Sequence, residues 1–225
     1  MVAQGSDNSP VDPEILGVDD DAGGEPGGAN ACRKIAFMGT HGVGKTTLCF
    51  ELAARLKKLD RRVDLVKEVA RSCPLPLNQA TTVEAQAWIL HTQIAREIET
   101  AQGQDWIVCD RSVLDNYAYL AVKYGRREPF DAIVADWIRT YSLLAWVPVL
   151  GRPRFDGVRD TDAEYQRRIE EVISGLVESL GVVPLRLDPT DRDGWIDAVI
   201  AAMSLGAAQL PLFAEVDRWE EGAGQ

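Results

Sequence analysis

The sequence predicts an α/β fold in which a parallel five-stranded sheet lies between two layers of helices. Two observations carry this prediction. Short apolar segments alternate with helical patterns along residues 33–205, as in parallel sheets with right-handed crossovers. A glycine-rich segment, 39–46, separates the first apolar segment from the first helical pattern. The length of 225 residues fits one domain of this kind.

The first half of the domain contains three predicted strands and two predicted helices. Three segments have the composition and length of strands: 33–38, 62–69 and 106–110. Residues 47–56 carry apolar side chains at helical spacing. Thr81 and Glu84 have capping-box spacing, which predicts the start of a second, long helix. Its apolar face would contain Val83, Ala87, Leu90, Ile94 and Ile98.

The second half continues the alternation of helices and strands. The predicted helices cover 112–124, 130–141, 161–180 and 195–205. The predicted strands cover 143–147 and 182–187. Pro148 should end the fourth strand at Val147, because proline cannot donate a hydrogen bond within a sheet. The sequence therefore predicts five strands in the domain.

Composition divides the chain into a domain, 32–205, and two acidic tails. Residues 1–31 are rich in Gly, Asp and Pro and have few large apolar side chains, which predicts a disordered tail. Residues 206–225 form a predicted C-terminal tail. The net charge is −11, but the segments 1–32 and 215–225 contribute −7 and −3, so the domain is nearly neutral. This argues against a broad nucleic-acid surface.

Cysteine usage and hydropathy indicate a soluble, cytoplasmic protein. The four cysteines are scattered without C-x-x-C spacing, which favours reduced thiols over disulfides or zinc. No segment approaches the run of about 18 apolar residues that a membrane-spanning helix needs. We therefore expect no membrane association.

The glycine-rich segment matches the phosphate-binding loop pattern G-x-x-x-x-G-K-[ST] at every fixed position. Backbone N–H groups of such a loop surround the β-phosphate, and the following helix directs its positive N-terminus at the anion. Lys45 would reach the β- and γ-phosphates, and Thr46 would hold Mg²⁺. The predicted nucleotide-binding residues are Gly39, Thr40, His41, Gly42, Val43, Gly44, Lys45, Thr46 and Thr47.

A second nucleotide signature follows the third strand. Ile107-Val108-Cys109-Asp110 is an apolar strand that ends in an acid. With the loop upstream, Asp110 is a candidate Mg²⁺ ligand beside Thr46. Without the loop, an acid at this place is a turn residue or helix cap as often as it is a metal ligand.

These motifs resemble the nucleoside and nucleotide kinases of the P-loop class. The resemblance rests on the phosphate loop and on three shorter segments: Glu68-Val69-Ala70-Arg71, Asp110-Arg111-Ser112 and Asp156-Gly157-Val158-Arg159. It spans 33 to about 200 and is greatest to the small AAA-labelled kinase group that includes the ribosylnicotinamide-kinase module of NadR. The implied fold is a three-layer P-loop NTPase fold with a small arginine-bearing lid.

The resemblance also assigns roles to individual residues. It implies that Glu68 is the general base, with Asp110 as Mg²⁺ ligand and alternative base. It implies that Arg71 and Arg111 contact substrate or phosphate, whereas ordinary surface ion pairs are the alternative. Lid arginines would neutralise the transferring phosphoryl group; the candidates are Arg152, Arg154 and Arg159, with Arg154 and Arg159 as the predicted catalytic residues. The alternative is that one or two of the three pair with Asp156, Asp160 or Asp162.

Several further side chains are candidates for an acceptor pocket. Gln86 and Gln93 lie on the helix that lines this pocket in related kinases. Trp88, Tyr117 and Tyr119 could stack on a ring, although aromatic side chains at helical spacing belong more often to the core.

We therefore expect a kinase that transfers the γ-phosphoryl group of Mg·ATP to a small nucleoside-like or nucleotide-like acceptor. ATP is the expected donor because the chain has no N-K-x-D guanine signature. One alternative is an ATP-dependent switch that acts through a protein partner, with the acidic N-terminal tail as the contact segment. The other is a kinase that acts on a polynucleotide or modified base. A homodimer is an open alternative to a monomer.

Overall fold

The computed structural model describes residues 32–77, 80–150 and 163–205. The strands are β1 (Arg33–Met38), β2 (Val63–Val66), β3 (Trp106–Asp110), β4 (Leu143–Trp146) and β5 (Leu185–Arg186). The α-helices are α1 (Lys45–Lys58), α2 (Val83–Ala101), α3 (Val113–Tyr124), α4 (Glu128–Trp137), α5 (Ala163–Ser179) and α6 (Trp195–Leu205). Two short 3₁₀ helices cover Val69–Ser72 and Ile138–Thr140.

The five strands form one parallel sheet in the order β2-β3-β1-β4-β5. In the register of β1 and β3, Phe37 lies beside Asp110. The loop after β1 and the acid at the end of β3 therefore meet at the carboxyl edge of the sheet, where ligands of such folds bind. The predicted parallel five-stranded sheet is confirmed.

Helices cover both faces of the sheet. One face packs against α2, α3 and α5 through a core that includes Tyr117, Leu120 and Ile173. The other face packs against α1 and α6 through Leu52 and Trp195. The predicted three layers are therefore present.

Three predicted strands are shorter in the structure. Strand β4 ends at Trp146, one residue before the predicted Val147. Strand β2 ends at Val66, because its last partner on β3 is Cys109 and β3 itself ends one residue later. Glu68 thus precedes a 3₁₀ helix instead of lying within the strand. Strand β5 contains two residues, because it pairs only with the end of β4.

The predicted start of the second helix is wrong by one residue. Thr82, not Thr81, caps α2, and its side chain accepts a hydrogen bond from Ala85 N. Thr81 is buried, and its hydroxyl accepts instead from Gln86 Nε2 at 2.8 Å. Long-range packing of Thr81 therefore outweighs its local capping pattern; its carbonyl also accepts from Lys123 and Tyr124 of α3.

A buried carboxylate, Glu97 of α2, bonds to side chains of β1, α4 and the segment that follows α4. Glu97 has no exposed surface, and its two oxygens accept from Lys34 Nζ, Gln93 Nε2, Trp137 Nε1 and Tyr141 Oη at 2.6–3.2 Å. Four donors compensate for the desolvation that burial of a carboxylate costs. This cluster stabilises the helical layer behind β3.

The cysteines are unpaired, and two of them belong to the core. Burial raises the pKa of the Cys49 and Cys109 thiols well above their ordinary value, so both stay protonated. In the parts of the chain that the structure covers, no helix has both the length and the apolar character that crossing a membrane requires.

Candidate functional site

The glycine-rich loop adopts a conformation that requires its glycines. Gly39, Gly42 and Gly44 have φ angles of 127°, 76° and 94°, a region that other residues rarely occupy. A Cβ atom on Gly39 would lie 2.9 Å from the carbonyl oxygen of Val147. The loop thus passes directly over the end of β4 and leads into the N-terminus of α1, which begins at Lys45.

Lys45 lies inside this loop. Its side chain is almost fully buried, and Nζ donates to Gly39 O at 2.9 Å and to Thr40 O at 2.5 Å. The structure thus places an ammonium group and the N-terminus of a 14-residue helix at one point. Both favour a bound anion.

The two predicted Mg²⁺ ligands lie together. Thr46 Oγ1 donates to Asp110 Oδ2 at 2.5 Å, and Asp110 is 3% exposed. The other oxygen, Oδ1, is buried and has no hydrogen-bond partner among the described residues. Mg²⁺ prefers oxygen ligands and is commonly held by one carboxylate together with substrate phosphates. The hydroxyl and the unpaired carboxylate oxygen therefore fit this ion.

Glu68 is held by two arginines. Its Oε2 accepts from Arg71 Nε at 2.8 Å, and its Oε1 accepts from Arg111 Nε at 2.9 Å. Glu68 and Arg111 are buried, whereas Arg71 is partly exposed. The alternative interpretation as surface ion pairs therefore does not apply to Arg111, because a buried pair of this kind is far more costly to break than a surface pair.

Arg111 has a strained backbone. Its φ is 91°, which is rare for a residue with a side chain. Hydrogen bonds from Arg111 N to Phe37 O and from Gln93 Nε2 to Arg111 O, both 3.2 Å, maintain this conformation. Strain of this kind concentrates at functional sites.

Asp115 is a second carboxylate near Arg111, with Oδ2 3.8 Å from Nη1. The carboxylate also completes a capping box with Ser112, whose N and Oγ both donate to Oδ1 at 2.6 Å. Burial raises the pKa of the Asp115 carboxyl to about 6, against the opposing effect of Arg111 and Lys45.

A single cleft connects the metal-ligand pair to Glu68. It has a volume of about 110 Å³ and is lined by Thr46, Cys49, Phe50, Leu65, Val66, Lys67, Glu68, Arg71 and Asp110. Three of the residues selected from the sequence, Thr46, Glu68 and Asp110, therefore face the same space.

Three residues that were not singled out in the sequence lie against the phosphate loop. Glu170 of α5 accepts from Thr40 N at 3.2 Å, and Gln166 Nε2 donates to His41 O at 2.9 Å. The i, i+4 spacing of these two residues on one helix face was the available signal. Arg192 Nη2 lies 3.5 Å from the position that a Cβ on Gly44 would occupy.

Tyr119, a stacking candidate in the sequence, contacts the phosphate loop instead through its hydroxyl. Its hydroxyl lies 3.2 Å from Nδ1 of His41. Tyr117, by contrast, is a core residue whose hydroxyl accepts from Arg127 N at 2.8 Å.

The remaining predicted residues have different outcomes. Gln86 and Gln93 are buried and bond to Thr81 and Glu97, within the protein. Thr47 lies exposed in the first turn of α1. The lid candidates Arg152, Arg154 and Arg159, and the segment 156–159, lie outside the described residues and stay predictions.

Two solved structures with this fold are kinases. Deoxyadenosine kinase from M. mycoides with bound dATP has a TM-score of 0.55 and 17% sequence identity, over 76% of this chain and 99% of that one. Thymidylate kinase from Ehrlichia chaffeensis has a TM-score of 0.57 and 17% identity, over 77% and 99%. At this identity the likeness concerns the fold.

Sequence comparison gives the family. No curated protein matches the chain in sequence. The model of a family described as "AAA domain" matches residues 34–193, which is more than half of the chain and includes the phosphate loop, Glu68, Asp110 and Arg111. The chain therefore belongs to this AAA domain family.

Proposed function

We propose that this protein is a kinase that transfers the γ-phosphoryl group of Mg·ATP to a small nucleoside-like or nucleotide-like acceptor. The observation that supports it most is the cleft beside the phosphate loop that Thr46, Asp110 and Glu68 line together. Phosphoryl transfer depends mainly on positioning and charge stabilisation, and this cleft brings the required groups together. The kinase-like fold supports the same reaction class.

The donor side consists of the loop and the helix that follows it. Lys45 and the loop N–H groups bind the phosphates of ATP, and the N-terminus of α1 favours their negative charge. Arg192, which borders Gly44, adds a positive charge at the edge of this site. ATP is the proposed donor because no guanine-reading N-K-x-D segment is present.

Thr46 and Asp110 are the proposed Mg²⁺ ligands. A Mg²⁺ ion held by these two residues would supply positive charge that offsets the charge of the ATP phosphates. The buried, unpaired Oδ1 of Asp110 supports this role, since burial of an uncompensated carboxylate oxygen is otherwise costly.

Glu68 is the proposed general base. Arg71 and Arg111 orient its carboxylate towards the acceptor, whose hydroxyl it positions and whose proton it takes late in a loose transition state. Asp110 is the alternative base. Arg154 and Arg159 are proposed to neutralise the transferring group from the lid.

The test is ADP release by purified protein with Mg·ATP and a panel of acceptors. The panel contains nucleosides, nucleoside monophosphates, ribosylnicotinamide and single-stranded DNA, and mass spectrometry identifies the phosphorylated product. We expect acceptor-dependent release that Lys45→Ala abolishes. Glu68→Gln should lower kcat by about 100-fold or more, whereas Glu99→Gln, on the exposed face of α2, should not change it.

Each other outcome selects an alternative. Slow ADP release that no acceptor stimulates would contradict the kinase and favour a switch that acts through a protein partner. Release stimulated by DNA alone would favour a polynucleotide kinase. Light scattering distinguishes a homodimer from a monomer, and deletion of residues 1–31 tests whether the acidic segment contributes to activity or to partner binding.

A further inference from the structure

A continuous series of polar contacts connects the phosphate loop to Glu68. Nδ1 of His41, in the loop, lies 3.2 Å from Tyr119 Oη. Arg111 Nη1 donates to the same hydroxyl at 3.4 Å, and Arg111 Nε donates to Glu68 Oε1 at 2.9 Å. The series thus joins a residue of the donor loop to the carboxylate that lines the acceptor cleft.

Tyr119 is the central member of the series. Its ring also faces the Arg111 guanidinium, whose carbon lies 5.0 Å from the ring centroid. The ring centroids of Tyr119 and His41 are 6.3 Å apart. One side chain therefore contacts Arg111 by a hydrogen bond and by a cation–π interaction, and contacts the loop through its hydroxyl.

The hydrogen bond between Arg111 and Tyr119 has a fixed direction. A guanidinium can only donate, so the Tyr119 hydroxyl accepts from Arg111. The Tyr119 hydroxyl can donate its own proton to Nδ1 of His41 when the imidazole proton is on Nε2, or accept from Nδ1 in the other tautomer; Thr40 Oγ1 also lies 3.4 Å from Nδ1. In both tautomers the hydroxyl connects Arg111 to the loop.

Arg111 also has a second carboxylate within reach. Its Nη1 lies 3.8 Å from Asp115 Oδ2, which has no hydrogen-bond partner among the described residues. One guanidinium therefore contacts Glu68, Asp115 and Tyr119. A displacement of this group from Glu68 towards Asp115 would also alter its hydrogen bond to Tyr119.

We propose that Tyr119 is a positioning residue that couples the acceptor carboxylate Glu68 to the phosphate loop. The coupling rests on the proposed function, since only there does Glu68 engage an acceptor. Energetic linkage is reciprocal, so a change at Glu68 alters the affinity of the loop for nucleotide, and the reverse. Tyr119 thereby links the affinity for nucleotide to the binding of the acceptor, although it contacts neither ligand.

A double-mutant cycle on nucleotide binding tests this inference without knowledge of the acceptor. Calorimetry measures the Kd for Mg·ATP in the full chain, Glu68→Gln, Tyr119→Phe and the double variant. Phenylalanine keeps the ring and removes only the hydroxyl. We expect a coupling factor of about threefold or more between the two changes, the scale of residues within one network.

Tyr117→Phe is the matched control. It removes a hydroxyl from the same helix, two residues away, whose partner is the backbone of Arg127 and not the loop. Paired with Glu68→Gln, it should give additive effects within about twofold. Additive effects for Tyr119→Phe, or equal coupling for Tyr117→Phe, would overturn the proposal.

A second set of variants separates positioning from folding. His41→Asn retains a side-chain acceptor for the Tyr119 hydroxyl, whereas His41→Ala removes it. The coupling between Glu68→Gln and Tyr119→Phe should persist when the cycle is repeated in the His41→Asn background and disappear in the His41→Ala background. Loss of this coupling in both backgrounds would contradict the proposed series of contacts. If Mg·ATP binding does not depend on Lys45, the proposed function fails. If binding depends on Lys45 but the effects of Glu68→Gln and Tyr119→Phe on Kd are additive, only the coupling is rejected.

Discussion

Thr46 Oγ1 lies 2.5 Å from Asp110 Oδ2, although 64 residues separate the two along the chain. The parallel pairing of β1 and β3 produces this contact, because Phe37 and Asp110 are register partners at the carboxyl edge of the sheet. The loop after β1 then returns Thr46 to the same edge at the start of α1. Strand order thus assembles the proposed metal site from two distant segments.

The first prediction concerns this pair. Asp110→Asn should weaken the enhancement of ATP binding by Mg²⁺ by about 10-fold or more, the scale of residues that tune a metal site. Metal-free ATP should bind to Asp110→Asn at least as tightly as to the natural chain, because the substitution removes a negative charge near the phosphates. Calorimetry with and without Mg²⁺ measures both quantities.

Variants at position 46 provide the control for that prediction. Thr46→Ser keeps the hydroxyl and should retain the enhancement by Mg²⁺, whereas Thr46→Val should lose it. An unchanged enhancement in Asp110→Asn and Thr46→Val would show that the pair is not the metal site.

The second prediction concerns the backbone of Gly39. Gly39→Ala combines a positive φ with a Cβ placed 2.9 Å from Val147 O, so we expect it to lower the free energy of unfolding by about 1–3 kcal/mol and to weaken nucleotide binding. Urea denaturation and calorimetry measure the two effects.

Gly103→Ala is the matched control for strain alone, since Gly103 has φ 71° and nothing within 4 Å of its Cβ position. Gly103→Ala should be the milder change and should leave nucleotide affinity unaltered. Equal loss of stability in both variants would contradict a specific steric role for Gly39.

The third prediction follows from the titration of Asp115. Burial raises the pKa of this carboxyl to about 6 in the folded protein, whereas an exposed Asp titrates near 4. The folded state therefore binds more protons than the unfolded state between these values, and the Asp115 contribution to stability should fall as pH rises from about 4 to 6.

Asp115→Asn isolates this contribution, since Asn keeps an oxygen that can accept from Ser112. The unfolding free energy of the natural chain minus that of the variant, from urea denaturation at several pH values, should decrease from pH 4 to pH 7. A difference that is constant, or that increases with pH, would refute the assignment.

The fourth prediction concerns Glu97, whose oxygens are the acceptors for four buried donors. Glu97→Leu should cost about 3–5 kcal/mol of unfolding free energy, because it leaves the Lys34 ammonium buried without its carboxylate partner. Urea denaturation measures the loss.

Glu99→Leu tests whether that loss is specific. Glu99 lies two residues further along α2, is exposed and pairs only at the surface with Arg96, and such pairs contribute about 0–1 kcal/mol. A loss at Glu97 no larger than at Glu99 would mean that the buried cluster is not a stabilising element.

Local pattern was enough to find the donor side of the site. The phosphate loop depends on glycines and a lysine at fixed spacing, so Lys45, Thr46 and the strand–loop–helix around them could be recognised directly. The acid that ends β3 was also recognisable, since it follows a short apolar strand. Where local pattern competed with packing, as at Thr81, packing prevailed and the predicted cap was wrong.

Long-range contacts decided the rest. That Glu68 bonds to Arg111, 43 residues away, and that Tyr119 lies between Arg111 and His41, depends on strand order and on the strained φ of Arg111. The amino-acid sequence by itself determined the class of fold and the phosphate-loop pattern, because these follow from periodicity and spacing between near neighbours. The tertiary structure alone decided which of the candidate site residues meet, because hydrogen bonds and ion pairs between distant segments form only once the sheet and its helices are packed.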